Sequence, residues 1–312
     1  MNEKLRRYWF PVALSADVAD KPIPVTLLGE GVVLYRTTIG IAALHDLCIH
    51  RGTPLSLGWI DGDELVCAYH GWGYEGSGAC TRIPSLAPGR PIPPKARVGA
   101  YQVQELYGLV WVCLGTPTEP IPEYPEYADP TYHVFWTRHR LHANAARVIE
   151  NVMDFAHFPW VHPGILGDRS KPVYESTPAK REGNEIHYVV DDEATNAIRT
   201  YRVTLPYALH MHVRRRSGPD LDRINALFFV SQPLGDRDTI FWFGHGRNFD
   251  LDKDDTVLIG QDNHVIQQDQ RMVEAQRPEE LPLDLSAELH LKGTDAAAVE
   301  YRRSLASLGL GA

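Results

Sequence analysis

Four residues of metal-binding types occur as two short pairs in the first quarter of the chain. Cys48-x-His50 and Cys67-x-x-His70 are separated by sixteen residues. Two thiolates and two imidazoles suit a tetrahedral zinc ion, and they also suit a [2Fe–2S] cluster with cysteines on one iron and histidines on the other. Zinc fingers usually group their cysteines and their histidines separately, whereas each pair here contains one of each. The arrangement therefore favours an iron–sulfur cluster held jointly by two loops.

A second set of polar residues lies near the middle of the chain: Asn151, Asp154, His157 and His162. The sequence from 142 to about 158 predicts a helix, and residues 151, 154 and 157 would share one face of it. Pro159 should break or kink this helix, so that the two imidazoles converge. Two histidines and a carboxylate, which can be distant in sequence, form the facial triad that binds non-haem Fe(II). The second set thus predicts a mononuclear iron site.

The composition limits what kind of protein can carry these sites. The chain has 312 residues, 44% of them hydrophobic, which at about 150 residues per domain predicts two domains with sizeable cores. The formal net charge of −9 argues against nucleic-acid binding and against a polybasic membrane surface. No signal peptide and no apolar run of membrane-spanning length are visible. We therefore expect a cytoplasmic protein that binds neither nucleic acid nor membrane.

The elements that position these residues fall into two parts. Residues 1–115 contain short β-branched or aromatic runs between glycine turns, which predicts a small antiparallel β domain. A proline-rich stretch, 116–132, is predicted to be a linker. The segments that follow predict a helix, a half-buried antiparallel sheet and further helices, one of them at 256–276. The fold class is therefore α+β, with domain 1–118 holding the cluster and domain 119–312 holding a sheet flanked by helices.

The cluster motif, which is followed by Gly71-Trp72, resembles that of the Rieske non-haem iron oxygenases. The chain is most similar to single-subunit terminal oxygenases of the vanillate O-demethylase, dicamba monooxygenase and phthalate dioxygenase type. In that group two residues separate the asparagine and the aspartate of the second motif, as in Asn151-x-x-Asp154. The resemblance implies a Rieske [2Fe–2S] domain, a catalytic mononuclear iron domain and a homotrimer without a second kind of subunit.

The resemblance also assigns the ligands of the cluster and of the mononuclear Fe(II): Cys48, His50, Cys67 and His70 for the first, and His157, His162 and Asp269 for the second. Asp269 lies on the predicted 256–276 helix, where Glu274 and Asp262 are alternative third ligands. Asp154 would be a bridge that hydrogen-bonds His157 and also a cluster histidine, His70, of a neighbouring protomer, so that electrons cross between chains. Asn151 is expected beside the iron.

By the same resemblance the protein is a terminal oxygenase. A separate reductase or ferredoxin would deliver electrons from NAD(P)H to the cluster, and O2 would be the co-substrate at the iron. The expected reaction is monooxygenation of a small aromatic substrate, by hydroxylation or by O- or N-dealkylation, in aromatic catabolism. The alternatives are a cis-dihydroxylase of the same architecture, a Rieske electron carrier without catalytic iron, and a zinc-stabilised binding protein.

The sequence says less about the substrate. His210, His212 and Asn225 lie on strands expected to line the pocket, where each either orients a ligand or serves packing. The basic run 214–216 faces an acidic substrate, a reductase or only solvent. The 106 residues between His162 and Asp269 predict a compact catalytic sheet and leave the shape of the pocket open.

Overall fold

The computed structural model describes residues 2–310. The chain divides into two compact units, of which the first is Glu3–Ile121 and the second begins at Pro122. The sequence-based boundary between the two functional domains, after residue 118, stays a prediction. Among the described residues, no helix has the length and the hydrophobicity that crossing a membrane requires.

The first unit is built from ten short strands: β1 Phe10–Leu14, β2 Ile23–Leu27, β3 Glu30–Thr37, β4 Gly40–His45, β5 Trp59–Asp61, β6 Glu64–Val66, β7 Gly73–Tyr74, β8 Cys80–Arg82, β9 Gln102–Leu106 and β10 Leu109–Cys113. They form three antiparallel sheets, in the orders β2-β3-β4, β1-β10-β9 and β5-β6-β7-β8. Short 3-10 helices lie at Glu3–Arg7, Ser15–Asp17 and Leu55–Leu57. One loop with potential ligands follows β4, and the other joins β6 to β7.

The second unit contains eight strands and four helices: β11 His133–Leu141, α1 Ala145–Met153, α2 Phe158–Val161, β12 Glu175–Ser176, β13 Lys180–Glu182, β14 Glu185–Asp192, β15 Ala197–Thr204, β16 Ala208–Arg215, β17 Ile224–Gly235, β18 Asp238–Arg247, α3 Thr256–Val273 and α4 Ala296–Leu308. All eight strands join one antiparallel sheet in the order β11-β18-β17-β16-β15-β14-β12, with β13 also paired to β14. The α1 helix packs against β16, β17 and β18 and against α3 and α4. This arrangement confirms the predicted α+β class.

Alternating burial along β14 and β15 follows the period of two that an extended strand imposes. The same period separates two sets of side chains on β16. Met211 and Val213 line a cavity that reaches the second predicted iron site, so His210 and His212 point to the opposite face of the sheet. The face that each residue of β16 occupies therefore decides its role.

The helix predicted from 142 to about 158 is shorter than the sequence indicates. Asn144 caps it by accepting a hydrogen bond from the backbone N–H of Ala146 at 3.1 Å, and the helix ends at Met153. Asp154 already has extended backbone angles (φ −77°, ψ 131°). Asn151, Asp154 and residue 157 therefore do not share one helix face. Pro159 does not break a helix either, because it lies in the first turn of α2, where its missing N–H costs no hydrogen bond.

The proline-rich stretch 116–132 is only partly a free connection. It contains one short 3-10 helix, Pro125–Tyr127. Tyr124 is fully buried, and its hydroxyl donates a hydrogen bond to the carbonyl of Ala226 on β17 at 3.0 Å. The second half of the proline-rich stretch therefore packs on the large sheet. Strand β11, which follows this stretch directly, was absent from the sequence-based assignment.

Candidate metal centres and active site

The two loops of the first unit close with the same pair of backbone hydrogen bonds. The N–H groups of Cys48 and Cys67 each donate to the carbonyl five residues later, at 2.9 Å. The N–H groups of Gly52 and Gly71 donate back to the two cysteine carbonyls, at 2.9 and 3.0 Å. Both glycines have left-handed angles (φ +68° and +69°) that other residues adopt only with strain. The loops are therefore two copies of one ligand-presenting turn.

These turns bring the four predicted cluster ligands together. Cys48 and Cys67 are buried, His50 is half-buried and His70 is exposed. The two imidazole rings lie edge to face, with their centroids 4.5 Å apart. Nδ1 of His50 is buried and makes no hydrogen bond to any described residue, as expected of an atom reserved for a metal. Two buried sulfurs beside two paired imidazoles fit a Rieske cluster.

The spacing of the four ligand atoms argues against a single zinc ion. Tetrahedral Zn–S and Zn–N bonds of about 2.3 and 2.1 Å would hold all four ligand atoms within roughly 4 Å of one another. Among the residues from 2 to 310, however, no group with three of these four side chains places its ligand atoms within 4.8 Å of one another. A cluster with two irons does not require all four ligand atoms to surround one ion.

Aromatic side chains surround the cluster ligands. Trp72 stacks on His50 (centroids 4.6 Å apart, planes 7° apart), and Tyr69 lies 3.9 Å from the ring of His70. The hydroxyl of Tyr74, which sequence reasoning missed, lies 3.1 Å from Sγ of Cys48. Burial raises the pKa of Tyr74 far above its usual value, so the phenol keeps its proton and would donate a hydrogen bond to Sγ of Cys48 when this sulfur binds a cluster iron.

The second predicted site is assembled where α1, α2 and α3 meet. Nε2 of His162 lies 2.9 Å from Oδ1 of Asp269, and Nε2 of His157 lies 3.4 Å from the same oxygen. The three ligand atoms lie within 4.8 Å of one another. His157 precedes α2 and His162 follows it, so one short helix sets the separation of the two imidazoles.

These three side chains fit a metal ion. Nε2 of His157, Nε2 of His162 and Oδ1 of Asp269 are all buried, yet none has a hydrogen-bond partner within the described part of the chain. Unsatisfied buried polar atoms are costly, and a cation between them would satisfy all three. Burial alone would lower the pKa of His157, but the carboxylates of Asp154 and Asp269 raise it to about 9. The site therefore attracts positive charge.

Two further residues orient the imidazoles. Oδ2 of Asp154 lies 3.2 Å from Nδ1 of His157, and Oε1 of Gln268 lies 2.7 Å from Nδ1 of His162. An acceptor at Nδ1 fixes the proton there and leaves the Nε2 lone pair for the metal. Gln268 was missed by sequence reasoning, although it directly precedes Asp269.

The two alternative third ligands have other partners. Glu274 accepts hydrogen bonds from the backbone N–H of His142 and from the side chain of Gln270. Asp262 lies 2.8 Å from Nδ1 of His245. Only Asp269 of the three acids belongs to the cluster of potential ligands with His157 and His162.

A cavity of about 280 Å³ begins at these ligands. Its walls are largely apolar and include Phe229, Phe241 and Phe243, whose rings stack with centroids 4.6 to 5.6 Å apart. Asn151 also lines it. The cavity is near the lower end of the size range of small-molecule sites, and its aromatic wall suits a small planar ligand.

One polar group of the cavity stands apart from the metal ligands. Nε2 of His245 lies 3.0 Å from Oδ1 of Asn225, and its Nδ1 lies 2.8 Å from Asp262. All three residues line the cavity. The chain of contacts fixes the amide of Asn225 at the cavity wall, as the sequence-based interpretation of this residue allows, and adds His245, which that interpretation missed.

His210 and His212 have a different task. Glu126 is a buried residue of the proline-rich stretch itself, and its carboxylate lies 3.2 Å from Nε2 of His210 and 2.5 Å from Nε2 of His212. Two histidines and a carboxylate resemble a metal site, but Arg202 donates a hydrogen bond to Nδ1 of His210 at 3.0 Å. An arginine can only donate, so Nδ1 of His210 accepts this bond and the ring proton lies on Nε2, while burial lowers the pKa of the ring. The contacts of Glu126 with the two histidines therefore hold the proline-rich stretch against β16.

Comparisons with known proteins agree with this geometry. Residues 8–106 match the family model of the Rieske [2Fe-2S] domain, and residues 141–310 match that of the vanillate O-demethylase oxygenase C-terminal domain. The chain is 30% identical to methylxanthine N1-demethylase NdmA of Pseudomonas putida, over 98% of this chain and 90% of NdmA. The structure of NdmA of Pseudomonas putida CBB5 with caffeine is similar (TM-score 0.88, 30% identity, 96% of this chain and 90% of that one). Dicamba monooxygenase bound to 3,6-dichlorosalicylic acid is similar as well (TM-score 0.84, 25% identity, 98% of each chain).

The chain therefore belongs to the Rieske non-haem iron oxygenases that carry a vanillate O-demethylase C-terminal domain. It is an oxidoreductase of the monooxygenase type, and its family uses a [2Fe–2S] cluster and a mononuclear iron. The resemblance predicted from the sequence is confirmed, and the dihydroxylase alternative is not favoured.

Proposed function

We propose that this oxygenase hydroxylates, or removes an O- or N-alkyl group from, a small aromatic molecule at an iron held by His157, His162 and Asp269. The observation that carries the proposal is the convergence of three unsatisfied buried ligand atoms at one end of an aromatic-lined cavity. Two imidazoles and a carboxylate leave coordination positions open on an Fe(II) ion. When bound, the cluster supplies electrons and the mononuclear iron supplies the oxygen chemistry.

The protein's own residues would bind the two metal groups and position the substrate. Cys48 and Cys67 would hold one iron of the cluster, and His50 and His70 the other. In the cavity, the ring of the substrate would lie against Phe243 and its aromatic neighbours, so that water is displaced from both. The relatives with bound ligands support a substrate of this size, because NdmA holds caffeine and dicamba monooxygenase holds 3,6-dichlorosalicylic acid.

The amide of Asn225 would then orient the substrate. His245, whose Nδ1 donates to Asp262, contacts one end of this amide, which leaves the other end to hydrogen-bond a polar group on the ligand. A ring held in this way would present one substituent to the iron end of the cavity. Asn151, at the same end, would limit which substituent fits.

For partners, we propose a homotrimer in the cytoplasm that receives electrons from a reductase or ferredoxin. Asp154 is the residue that supports electron transfer between protomers. Its side chain is 40% exposed while it contacts Nδ1 of His157, so one carboxylate could also accept a hydrogen bond from His70 of a neighbouring protomer.

The test begins with anaerobic purification, followed by iron and acid-labile sulfide analysis and EPR of the reduced protein. We expect about three irons and two sulfides per chain and a Rieske signal. His162→Ala should lose one iron and keep the signal, while Cys67→Ser should lose the signal. If the protein contains two irons per chain and added Fe(II) does not raise this number to three, the result would indicate an electron carrier. Zinc without acid-labile sulfide would exclude an oxygenase.

A second measurement tests the reaction. Holoprotein, a ferredoxin–reductase pair and NAD(P)H are incubated with methoxy- and N-methyl-substituted aromatics, and products are identified by mass spectrometry. We expect formaldehyde and the dealkylated ring. A cis-diol as the main product would instead favour the dihydroxylase alternative.

A further inference from the structure

A second and larger cavity, of about 890 Å³, adjoins the iron cavity. The two share lining residues that include Arg199, Asn225 and Asp262. A molecule that enters the iron cavity from this side passes through the larger one. We call the larger cavity the vestibule.

Most charged groups of the vestibule are already paired. Asp262 contacts His245 at 2.8 Å, and Asp220 contacts Arg223 at 3.1 Å. Arg199 is buried and its guanidinium lies 2.6 Å from the buried carboxylate of Asp192. These pairs hold the walls in place and contribute little net charge.

Two lining residues are exceptions. Arg214 and Arg215 are exposed and line the vestibule, and within residues 2–310 neither has a carboxylate at ion-pair distance. The Arg215 side chain makes one long polar contact among the described residues, of 3.4 Å, to the backbone carbonyl of Thr195. Two uncompensated guanidinium groups in a chain of net charge −9 create a local positive potential at a concave surface, where charge acts most strongly on an approaching ion.

The strand that carries Arg215 also lines the iron cavity. Side chains of one strand face alternate sides, so Arg215 shares a face with Met211 and Val213, which line the iron cavity. Arg215 pairs with Ala197 on β15, two residues beyond the pair of Val213 and Arg199. At about 3.4 Å per residue, its Cα lies roughly 7 Å beyond that of Val213. A substrate with its reacting group at the iron would extend its far end toward this guanidinium.

We propose that Arg215 forms an anion subsite that selects substrates with a carboxylate or sulfonate on the side away from the reacting carbon. The inference rests on the proposed function, since it assumes that the reacting carbon lies at the iron. A guanidinium matches both oxyanions with two parallel N–H donors. The subsite is a specificity determinant and takes no part in the chemistry.

The test compares acids with amides of nearly equal shape. The probes are 4-methoxybenzoate and 4-methoxycinnamate, each with its uncharged primary amide. Their dissociation constants are measured by calorimetry on anaerobic holoprotein, for the native chain, Arg215→Gln and Arg216→Gln. Arg216 is the matched control, because its removal changes the net charge equally but its guanidinium pairs with Asp191 at 2.7 Å and it does not line the vestibule.

For the native protein we expect at least one acid to bind about tenfold more tightly than its amide, which corresponds to about 1.4 kcal/mol. Arg215→Gln should abolish this preference with little change in amide binding, and Arg216→Gln should retain it. The preference should also weaken as salt rises, because the guanidinium is exposed. When turnover of the same acid is measured, Arg215→Gln should raise KM and leave kcat nearly unchanged.

Three results would overturn the subsite: equal binding of acids and amides, no binding by any acid, or equal weakening by Arg215→Gln and Arg216→Gln. The last result would indicate that the overall positive potential of this surface, and not a specific contact with Arg215, attracts the acids. Amides that are demethylated while acids are excluded would refute the subsite and leave the oxygenase function intact. A preparation that cannot be loaded with mononuclear iron would instead refute the function itself.

Discussion

Oε1 of Gln268 lies 2.7 Å from Nδ1 of His162, while the next residue of the same helix, Asp269, faces Nε2 of that histidine at 2.9 Å. Successive residues of α3 therefore contact the two nitrogens of one imidazole. Gln268 offers only its carbonyl oxygen to Nδ1, so the proton is fixed there and the lone pair of Nε2 points toward Asp269. One helix therefore orients one proposed iron ligand and supplies another.

Replacing Gln268 should therefore weaken metal binding. In Gln268→Leu the Nδ1 proton of His162 loses its acceptor, and we expect Fe(II) affinity to fall about 10- to 100-fold. The measurement is Fe(II) titration of protein whose mononuclear site has been emptied by mild chelation. Gln267→Leu, at the exposed neighbouring position, should bind Fe(II) as the native protein does. Equal affinities for both variants would mean that the hydrogen bond does not set the tautomer.

Asp154→Asn should separate electron transfer from metal content. The amide keeps the shape but removes the charge beside Nδ1 of His157, so we expect both metals to be retained after loading with excess Fe(II). Oxidation of the reduced cluster by O2 with substrate should become at least about tenfold slower, because a hydrogen bond to charge is worth roughly 1.5–3 kcal/mol. Stopped-flow absorbance of the cluster measures this rate. Asp168→Asn, a nearby exposed carboxylate that contacts Ser170, is the control. An unchanged rate in Asp154→Asn would remove the bridge from the mechanism.

The hydroxyl of Tyr74 should raise the reduction potential of the cluster. Its hydrogen bond to Cys48 withdraws charge from the sulfur and so favours the reduced cluster. If the bond is worth about 1 kcal/mol, Tyr74→Phe should lower the potential by roughly 40 mV. Tyr35→Phe is the matched control, because this buried phenol faces a backbone carbonyl instead of a sulfur. Redox titration followed by circular dichroism would show the shift, and equal potentials would contradict it.

A buried ion pair should hold α1 and α4 together. Arg302 donates two hydrogen bonds to Glu150, at 2.6 and 2.7 Å, and is 3% exposed. Arg302→Met leaves the buried carboxylate without this partner, and we expect a loss of about 3–5 kcal/mol in the free energy of unfolding. Arg303→Met, one residue along and exposed, should change it by less than about 0.5 kcal/mol. Urea denaturation compares the two, and similar losses would contradict a role for the pair.

The sequence predicts the candidate ligand groups because they occur in short, contiguous patterns of cysteine, histidine and aspartate. Cys67-x-x-His70 needs only one turn, and Gly71 provides the left-handed residue that closes it. The distant carboxylate was found only through the resemblance, since spacing alone does not relate Asp269 to His162. Strands β14 to β18 were also predictable, because burial on one face imposes alternation.

What the sequence could not show depends on partners that are distant along the chain. Gln268 acquires its role from His162, and His245 from Asp262 and Asn225. The end of α1 at Met153 was missed because the residues that follow include no glycine or proline before Pro159. The side chain of Asp154 instead accepts a hydrogen bond from the N–H of Ala156, which stabilises a turn.

His210 and His212 show how the strand period separates the two roles that the sequence left open for them. Leu209, Met211 and Val213 alternate with them in the sequence, so the period of two already assigned the histidines to the face away from an apolar pocket. The period of two therefore favours packing over ligand orientation for both histidines, and their contacts with Glu126 agree with it.

The two faces of β16 also restrict how this enzyme can diverge. Inserting or deleting one residue before Met211 would reverse the direction of every later side chain in the strand. Imidazoles would enter the iron cavity, and Glu126 would be buried against an apolar side chain without either histidine. Substitutions at the odd-numbered positions of β16 can therefore change the substrate range. Insertions or deletions in this strand cannot, because they would exchange its two faces.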